Sequence, residues 1–345
     1  MTKTSKFALI LAFLVVIGSW VDSSDVKAKG FSSNHSNTLY PGKITIGMET
    51  WPGYLPLFVA QAKGYFRELG LDVDIKRYIA LGEVSKDYVA GKLQGRANLT
   101  LDAVNEHLDG LDHRVVLAID YSNGSDAIIA RKEITTVSDF AGKRVGYEPN
   151  TLEEFFVSWA LMENGLTLGD ITPVFGNPEE TVQQLKEGKA DVAVSHEPFM
   201  SQVVASGDFH PVYTSADAPG LITDILTFRT DFVDTYPETV ELIVQAYFKA
   251  LHFWKDHPEE AYVILAKEFG DTPEGIAQQF KGITMLDEGD NDTAFTFAAG
   301  LKSLYGNMRQ IGKFVRKHRG IVPAELNTDK LIETRFVKNL LKEEG

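Results

Sequence analysis

The sequence predicts an α/β protein of two lobes, each a mostly parallel sheet flanked by helices, and three observations lead there. The chain has 345 residues, 44% of them hydrophobic and spread along its length, enough for two cores rather than one. From Lys43 onward, short apolar strands alternate with amphipathic helices, the pattern that builds parallel sheets. Cysteine is absent, so no disulfide framework holds the fold together.

The elements follow in order. Residues 43–48 alternate apolar and polar as a strand does, and 55–63 put Leu55, Phe58, Val59 and Ala62 on one helical face, with Pro56 in the first turn and Gly64 as the stop. Residues 71–78 alternate again, 83–90 form a short helix closed by Gly91, and 115–119 (VVLAI) are a strand buried on both faces. A second series begins with strands at 127–130 and 144–147. A helix at 151–164 carries capping-box spacing at Thr151 and Glu154. A helix at 179–187 and strands at 190–194 and 222–228 complete it. The remainder reads as helical, at 237–255, 258–269, 273–280, 294–305 and 329–341, and three of these five helices open on proline. The acidic run Asp287–Asp292 reads as a solvated turn.

Charge and composition exclude several functions. Lys and Arg total 34 against 48 Asp and Glu, a net charge of -14, which disfavours nucleic acid and anionic lipid surfaces. Without cysteine there is no thiolate zinc site, Fe–S cluster or cysteine nucleophile, and no lipid-anchoring cysteine. The chain has no nucleophile elbow, phosphate loop or dinucleotide fingerprint, and Ser195-His196-Glu197-Pro198 lacks the second histidine of a zinc-protease helix. No catalytic residue, metal or cofactor is expected. Lys3 and Lys6 before the apolar run 7–17 read as a signal peptide, too short to span a bilayer. Residues 1–29 are assigned to that signal and 30–42 to a flexible lead-in, which predicts a periplasmic protein.

In open α/β sheets, ligands bind beyond the carboxyl ends of the strands, so the loops there supply the candidate site residues. Glu49, Trp51 and Tyr54 lie on a turn fixed by Pro52 and Gly53. Leu81 and Gly82 lead into a helix N-terminus, and Asp102 occupies a similar place, with an N-cap as its plainer role. Asp120, Ser122 and Asp126 bracket a small, polar segment suited to a hinge. Thr151 opens a long helix, and Glu197 follows a strand as either a ligand contact or a helix-end residue.

Several stretches resemble a known family. These are Trp51–Ala60 with Lys63–Phe66, Ser122–Asp126, Ser138–Gly146, Asp191–Val194 with Glu197-Pro198, and His257–Ala261. They are similar to the nitrate/sulfonate/taurine/thiamine-precursor branch of periplasmic solute-binding proteins, which serve ABC importers. The resemblance runs from about Lys43 to the C-terminus. It implies a type II periplasmic-binding-protein fold with two crossover strands near Asp126 and Thr223. Residues 43–125 and 224–345 would form lobe I and 126–223 lobe II, closing on a small-molecule ligand and docking on a membrane permease. A monomer is expected. A fungal branch of the same superfamily makes the thiamine pyrimidine with a cysteine-rich motif that is missing here, and a ligand-sensing role beside a membrane receptor is a further alternative.

The candidate loops hold Glu49, Asp102, Asp120, Asp126 and Glu197 and no Lys or Arg. Carboxylates repel an anion and accept from N–H groups, which points to an amine or an amino-substituted heterocycle such as a pyrimidine precursor. A sulfonate, taurine or nitrate is the alternative, and an arginine at the pocket centre would favour it.

Overall fold

A computed structural model describes residues 39–79, 82–320 and 327–343. The expected signal peptide, most of the lead-in, and Leu81 lie outside the described residues. Eleven strands among the described residues make two sheets. The first sheet receives β1 (Ile44–Met48), β2 (Val73–Arg77), β3 (Gly95–Leu99) and β4 (His113–Ser122). The chain then passes to the second sheet for β5 (Asp126–Arg131), β6 (Arg144–Tyr147), β7 (Thr172–Phe175), β8 (Val192–His196) and β9 (Phe209–Thr214). It returns to the first sheet for β10 (Thr223–Arg229) and β11 (Ile283–Met285). The orders are β11-β4-β10-β3-β1-β2 and β7-β6-β8-β5-β9.

Both sheets are mixed rather than mostly parallel. β1 runs parallel to β2 and β3, and β6 to β7 and β8, because helices cross between these strands. β4, β10 and β11 pair antiparallel, as do β5, β8 and β9. The strands that carry the chain from one sheet to the other therefore lie antiparallel to their neighbours.

One large core packs β1, β4 and β10 against helices Leu55–Lys63, Pro237–Asp256 and Pro258–Phe269. A second joins residues of β5, β6 and β8 to helix Leu152–Glu163 and to Leu304, Met308 and Ile311 of helix Leu304–Arg319. Proline does open Leu55–Lys63, Pro178–Lys186, Pro237–Asp256, Pro258–Phe269 and Pro273–Gln279 in their first turns.

Four local expectations need correction. The helix expected at 294–305 is instead the end of Glu288–Ala294, an irregular stretch, and the start of Leu304–Arg319. The acidic run is the head of Glu288–Ala294, with Asp287 and Asp290 forming a capping box. The helix expected at 329–341 is a short turn, Thr328–Leu331, followed by Arg335–Glu343. The Thr151/Glu154 capping box does not form. Glu154 Oε2 accepts from the amide of Asn150 at 2.6 Å, and the Thr151 hydroxyl donates to Glu148 O at 2.8 Å.

β4 is irregular where it leaves the core. Asp224 faces Asp120 but Ile225 faces Ala118, so Ile119 is an extra residue. Asn291, fully buried, covers the disturbed backbone: it accepts from Ala118 N at 3.0 Å and donates Nδ2 to Ala118 O at 2.9 Å. Asn291→Ala strands both backbone groups and is expected to lower stability by about 2–3 kcal/mol in urea denaturation. A loss below about 0.5 kcal/mol would show that this bridge does not hold β4 in place.

Candidate functional site

The carboxyl ends of β1, β3, β6 and β8 converge on a cleft of about 740 Å³ lined from both sheets. Its floor is the place where the chain passes between the sheets. Asp120 near the end of β4 and Asp224 at the start of β10 stand directly opposite each other in register. Asp126, the first residue of β5, follows Asp120 by one short turn. All three are buried.

The turn after β1 supplies their partners. Trp51 Nε1 donates to both carboxyl oxygens of Asp120 at 3.2 Å, and the Tyr54 hydroxyl donates to Asp224 Oδ1. Gly53 makes this approach possible: a Cβ there would run into the Asp120 carboxyl and Trp51 Nε1. Burial dominates the acidity of the group. It pushes Asp120 up to about 8 against the hydrogen bond from Trp51, with Asp126 adding to the rise. Asp126 rises to about 6 for the same reason, opposed by the facing His196. Asp224 is held well above the usual carboxylate range by burial and then by the charge of Asp120.

The walls are acidic as well. Glu49, Asp102, Glu106 and Asp109 line the cleft from the first sheet's side, and Glu148, Glu153 and Glu179 from the second. Among the described lining residues the basic groups are Arg96 and His196. Arg96 is 4% exposed and already committed: its Nη1 donates to Glu106 Oε1 and its Nη2 to Asp102 Oδ2 at 3.2 Å. Arg96 Nε and Asn98 Nδ2 on the same wall have no hydrogen-bond partner. Among the described residues no three Asp, Glu, Cys or His side chains gather in a way that could hold a metal ion.

The sequence-derived residues fall in different places. Glu49, Trp51, Tyr54, Gly82, Asp102, Asp126 and Thr151 line the cleft. Glu49 Oε1 accepts from the amide of Gly82 at 3.0 Å, which ties the β1 turn to the start of helix Glu83–Val89 after β2. Asp102 sits in the first turn of Thr100–Leu108, with Leu99 as N-cap. Asp120 lies under the floor, reached through Trp51. Ser122 is buried in the crossing and shares a hydrogen bond of 2.7 Å with Ser215. Glu197 is off the cleft, accepting from the amide and hydroxyl of Ser201 at 3.1 and 2.6 Å as a helix-end residue does. Leu81 lies outside the described residues. Arg96, Glu106, Glu148 and Asp224 escaped the sequence reading, three because they sit within or start a strand or lie on the inner face of a helix rather than in a loop, and Glu148 because it precedes the loop considered.

The family described as NMT1/THI5 like matches residues 51–261, from the cleft turn to the C-terminal helices. The chain belongs to the NMT1/THI5-like family. Within reach of it, a Brucella abortus protein with a provisional binding-protein name is 26% identical over 226 residues, 61% of this chain; that stretch spans 66% of the relative's length. The taurine-binding periplasmic protein of Escherichia coli strain K12 is 23% identical over 301 residues, covering 82% of this chain and 89% of its own. The crystal structure of the periplasmic aliphatic sulphonate binding protein SsuA from Escherichia coli superposes with a TM-score of 0.71 at 15% identity. It covers 87% of this chain and 100% of that one. The two-lobed periplasmic-binding-protein fold is thus shared with this NMT1/THI5-like chain. No helix among the described residues is long and apolar enough to cross a membrane.

The aspartate floor ties stability to pH. In the unfolded chain these carboxyls titrate near about 3.9, whereas Asp126 and Asp120 keep their protons in the folded protein up to about 6 and about 8. Between those limits the folded state binds more protons, so their contribution is complete at low pH and is lost as pH rises through the folded values. The melting temperature is expected to fall from pH 5 to pH 9, and Asp120→Asn, which cannot ionise, to flatten the slope. An unchanged slope in that variant contradicts the assignment.

Proposed function

We propose that the protein is an exported solute-binding component of an ABC importer that captures an amine or an amino-substituted heterocycle between its lobes. Lobe I is taken as residues 43–125 and 224–345, and lobe II as 126–223. The observation that carries the ligand class is the cleft's charge. Nine lining carboxylates face one arginine, which two of them already hold, and one histidine. A sulfonate or nitrate entering that space meets like charge on every wall, while N–H donors find acceptors. Trp51, half-buried on the rim, offers an indole face beside Asp120 to a cation or ring. Export is supported by Lys3 and Lys6 before the apolar run 7–17 and by the periplasmic relatives.

In this reading the protein is a carrier without chemistry of its own. Ligand binds one face of each lobe, and closure by hinge motion presents the closed form to a membrane permease. A second reading, a sulfonate or taurine binder, is favoured by the taurine-binding relative and by Arg96 in the lining. It would draw on the Arg96 Nε and Asn98 Nδ2 donors, which have no partner on that wall, against the repulsion of the carboxylates around them.

A thermal-shift panel of amines, aminopyrimidines, sulfonates, taurine and nitrate separates the two, since a ligand of the folded state raises the melting temperature by mass action. Amines or aminopyrimidines are expected to shift it. Affinity for the cation should strengthen as pH rises through about 6, where Asp126 ionises. Asp126→Asn is expected to weaken it by roughly tenfold or more, about 1.4 kcal/mol. A shift from sulfonates alone refutes the amine reading.

A further inference from the structure

We propose that the ligand joins its amine to an uncharged hydrogen-bond acceptor, a carbonyl oxygen or a ring nitrogen, which Arg96 Nε and Asn98 Nδ2 receive on the β3 wall. The inference rests on the amine reading above and specifies the other end of the molecule. Two buried side chains carry it. Arg96 and Asn98 are 4% and 2% exposed, both line the cleft, and each holds an N–H donor that no protein atom accepts. A buried donor without a partner is costly, and an acceptor on a ligand completes it.

Strand register turns these donors toward the amine's carboxylate. Alternation along β3 puts Arg96 and Asn98 on one face of the first sheet. Asn98 pairs with Ile225 of β10, and residues paired across antiparallel strands share a face. Ile225 packs in the same core as Ile128 of β5, which shares its strand face with Asp126. The two donors and the Asp126 carboxyl thus turn toward one interior, and all three residues border the cleft.

The remaining atoms of both side chains are engaged, and they decide which acceptor fits. Arg96 Nη1 and Nη2 are held by Glu106 and Asp102. The Thr227 hydroxyl donates to Arg96 O at 3.0 Å and stands 3.4 Å from Asn98 Oδ1. What is left on the wall is N–H donors alone. Their one positive charge already lies against two carboxylates, and Glu49 lines the same side of the cleft. An anion placed there meets three negative groups around one neutralised guanidinium. A neutral oxygen or nitrogen takes the same hydrogen bonds without that repulsion.

Isothermal titration of the mature protein at fixed pH and ionic strength tests the proposal. β-Alaninamide, β-alanine and 3-methylbutylamine share one amine and one linker, and end in a neutral acceptor, an anion and an apolar group of the same shape. The pair 4-aminopyrimidine and aniline repeats the comparison in a ring. β-Alaninamide is expected to bind at least about tenfold tighter than either analogue, and 4-aminopyrimidine to exceed aniline by a similar factor, because a site built to donate rejects a molecule that lacks the acceptor. Asn98→Leu, once its melting curve shows a folded protein, is expected to cut the β-alaninamide to 3-methylbutylamine ratio at least about threefold; if it does not fold, the ratios in the unaltered protein decide. Equal affinities for β-alaninamide and 3-methylbutylamine, or a ratio untouched by Asn98→Leu, overturn the acceptor and leave the amine reading standing. β-Alanine binding tighter than its amide overturns the neutral acceptor in favour of an anion. Sulfonates bound with no amine bound at all overturn both readings.

Discussion

Three aspartates meet where the chain crosses from one sheet to the other, and the architecture of the cleft follows from the need to keep them there. Two face each other across an antiparallel pair, an arrangement that is repulsive when both are ionised. Burial alone makes their charged forms costly. The fold answers with an indole N–H and a phenol from the same turn, Trp51 and Tyr54, and with retained protons. That turn is in turn dictated by β1, whose Ile44, Ile46 and Met48 are fixed in the core, and by Gly53, which lets the backbone lie over Asp120. The floor, the first helix start and the first strand are therefore one mechanical unit.

Charge at the floor and charge at the walls play different parts. The floor groups are buried and sensitive to any change in their surroundings, so they couple ligand, proton and fold. Apart from the buried Glu106 and Glu153, the wall groups are more accessible and act at longer range on whatever approaches. Arg96 belongs to neither class. It neutralises Glu106 and Asp102 within their own wall, and so keeps the cleft's acidity from becoming an unbalanced buried charge.

Much of the fold was legible because its signals are local. Pro56, Pro237, Pro258 and Pro273 marked helix starts, and the apolar run 115–119 marked a buried strand, β4. What could not be read depends on pairing. β3 looks unremarkable as a string, since Arg96 and Asn98 interrupt its apolar residues. Only the flanking strands make it central, and only helix Thr100–Leu108 supplies the carboxylates that let an arginine sit inside. The same holds for Asp224, which reads as an ordinary polar residue at a strand start until β4 places Asp120 opposite it. Loop position found Glu49, Trp51, Asp102 and Thr151; it could not find groups that reach the cleft from inside an element. The helices after residue 287 were misdrawn because an acidic capping box and a solvated acidic turn have the same composition.

The Ser215 hydroxyl lies 2.7 Å from both the Ser122 hydroxyl and the amide of Gly124, and Ser122 N donates to Ile222 O at 3.0 Å. The outgoing and returning passages are thereby laced side by side rather than left as two independent strings. Two laced cords cannot slide lengthwise past each other without breaking these bonds, so the joint resists shear and twist far more than it resists folding along its own crease. Under the closure proposed above, such a joint would act as a door hinge and not as a ball and socket, and would return the two faces of the cleft to the same alignment each time they met.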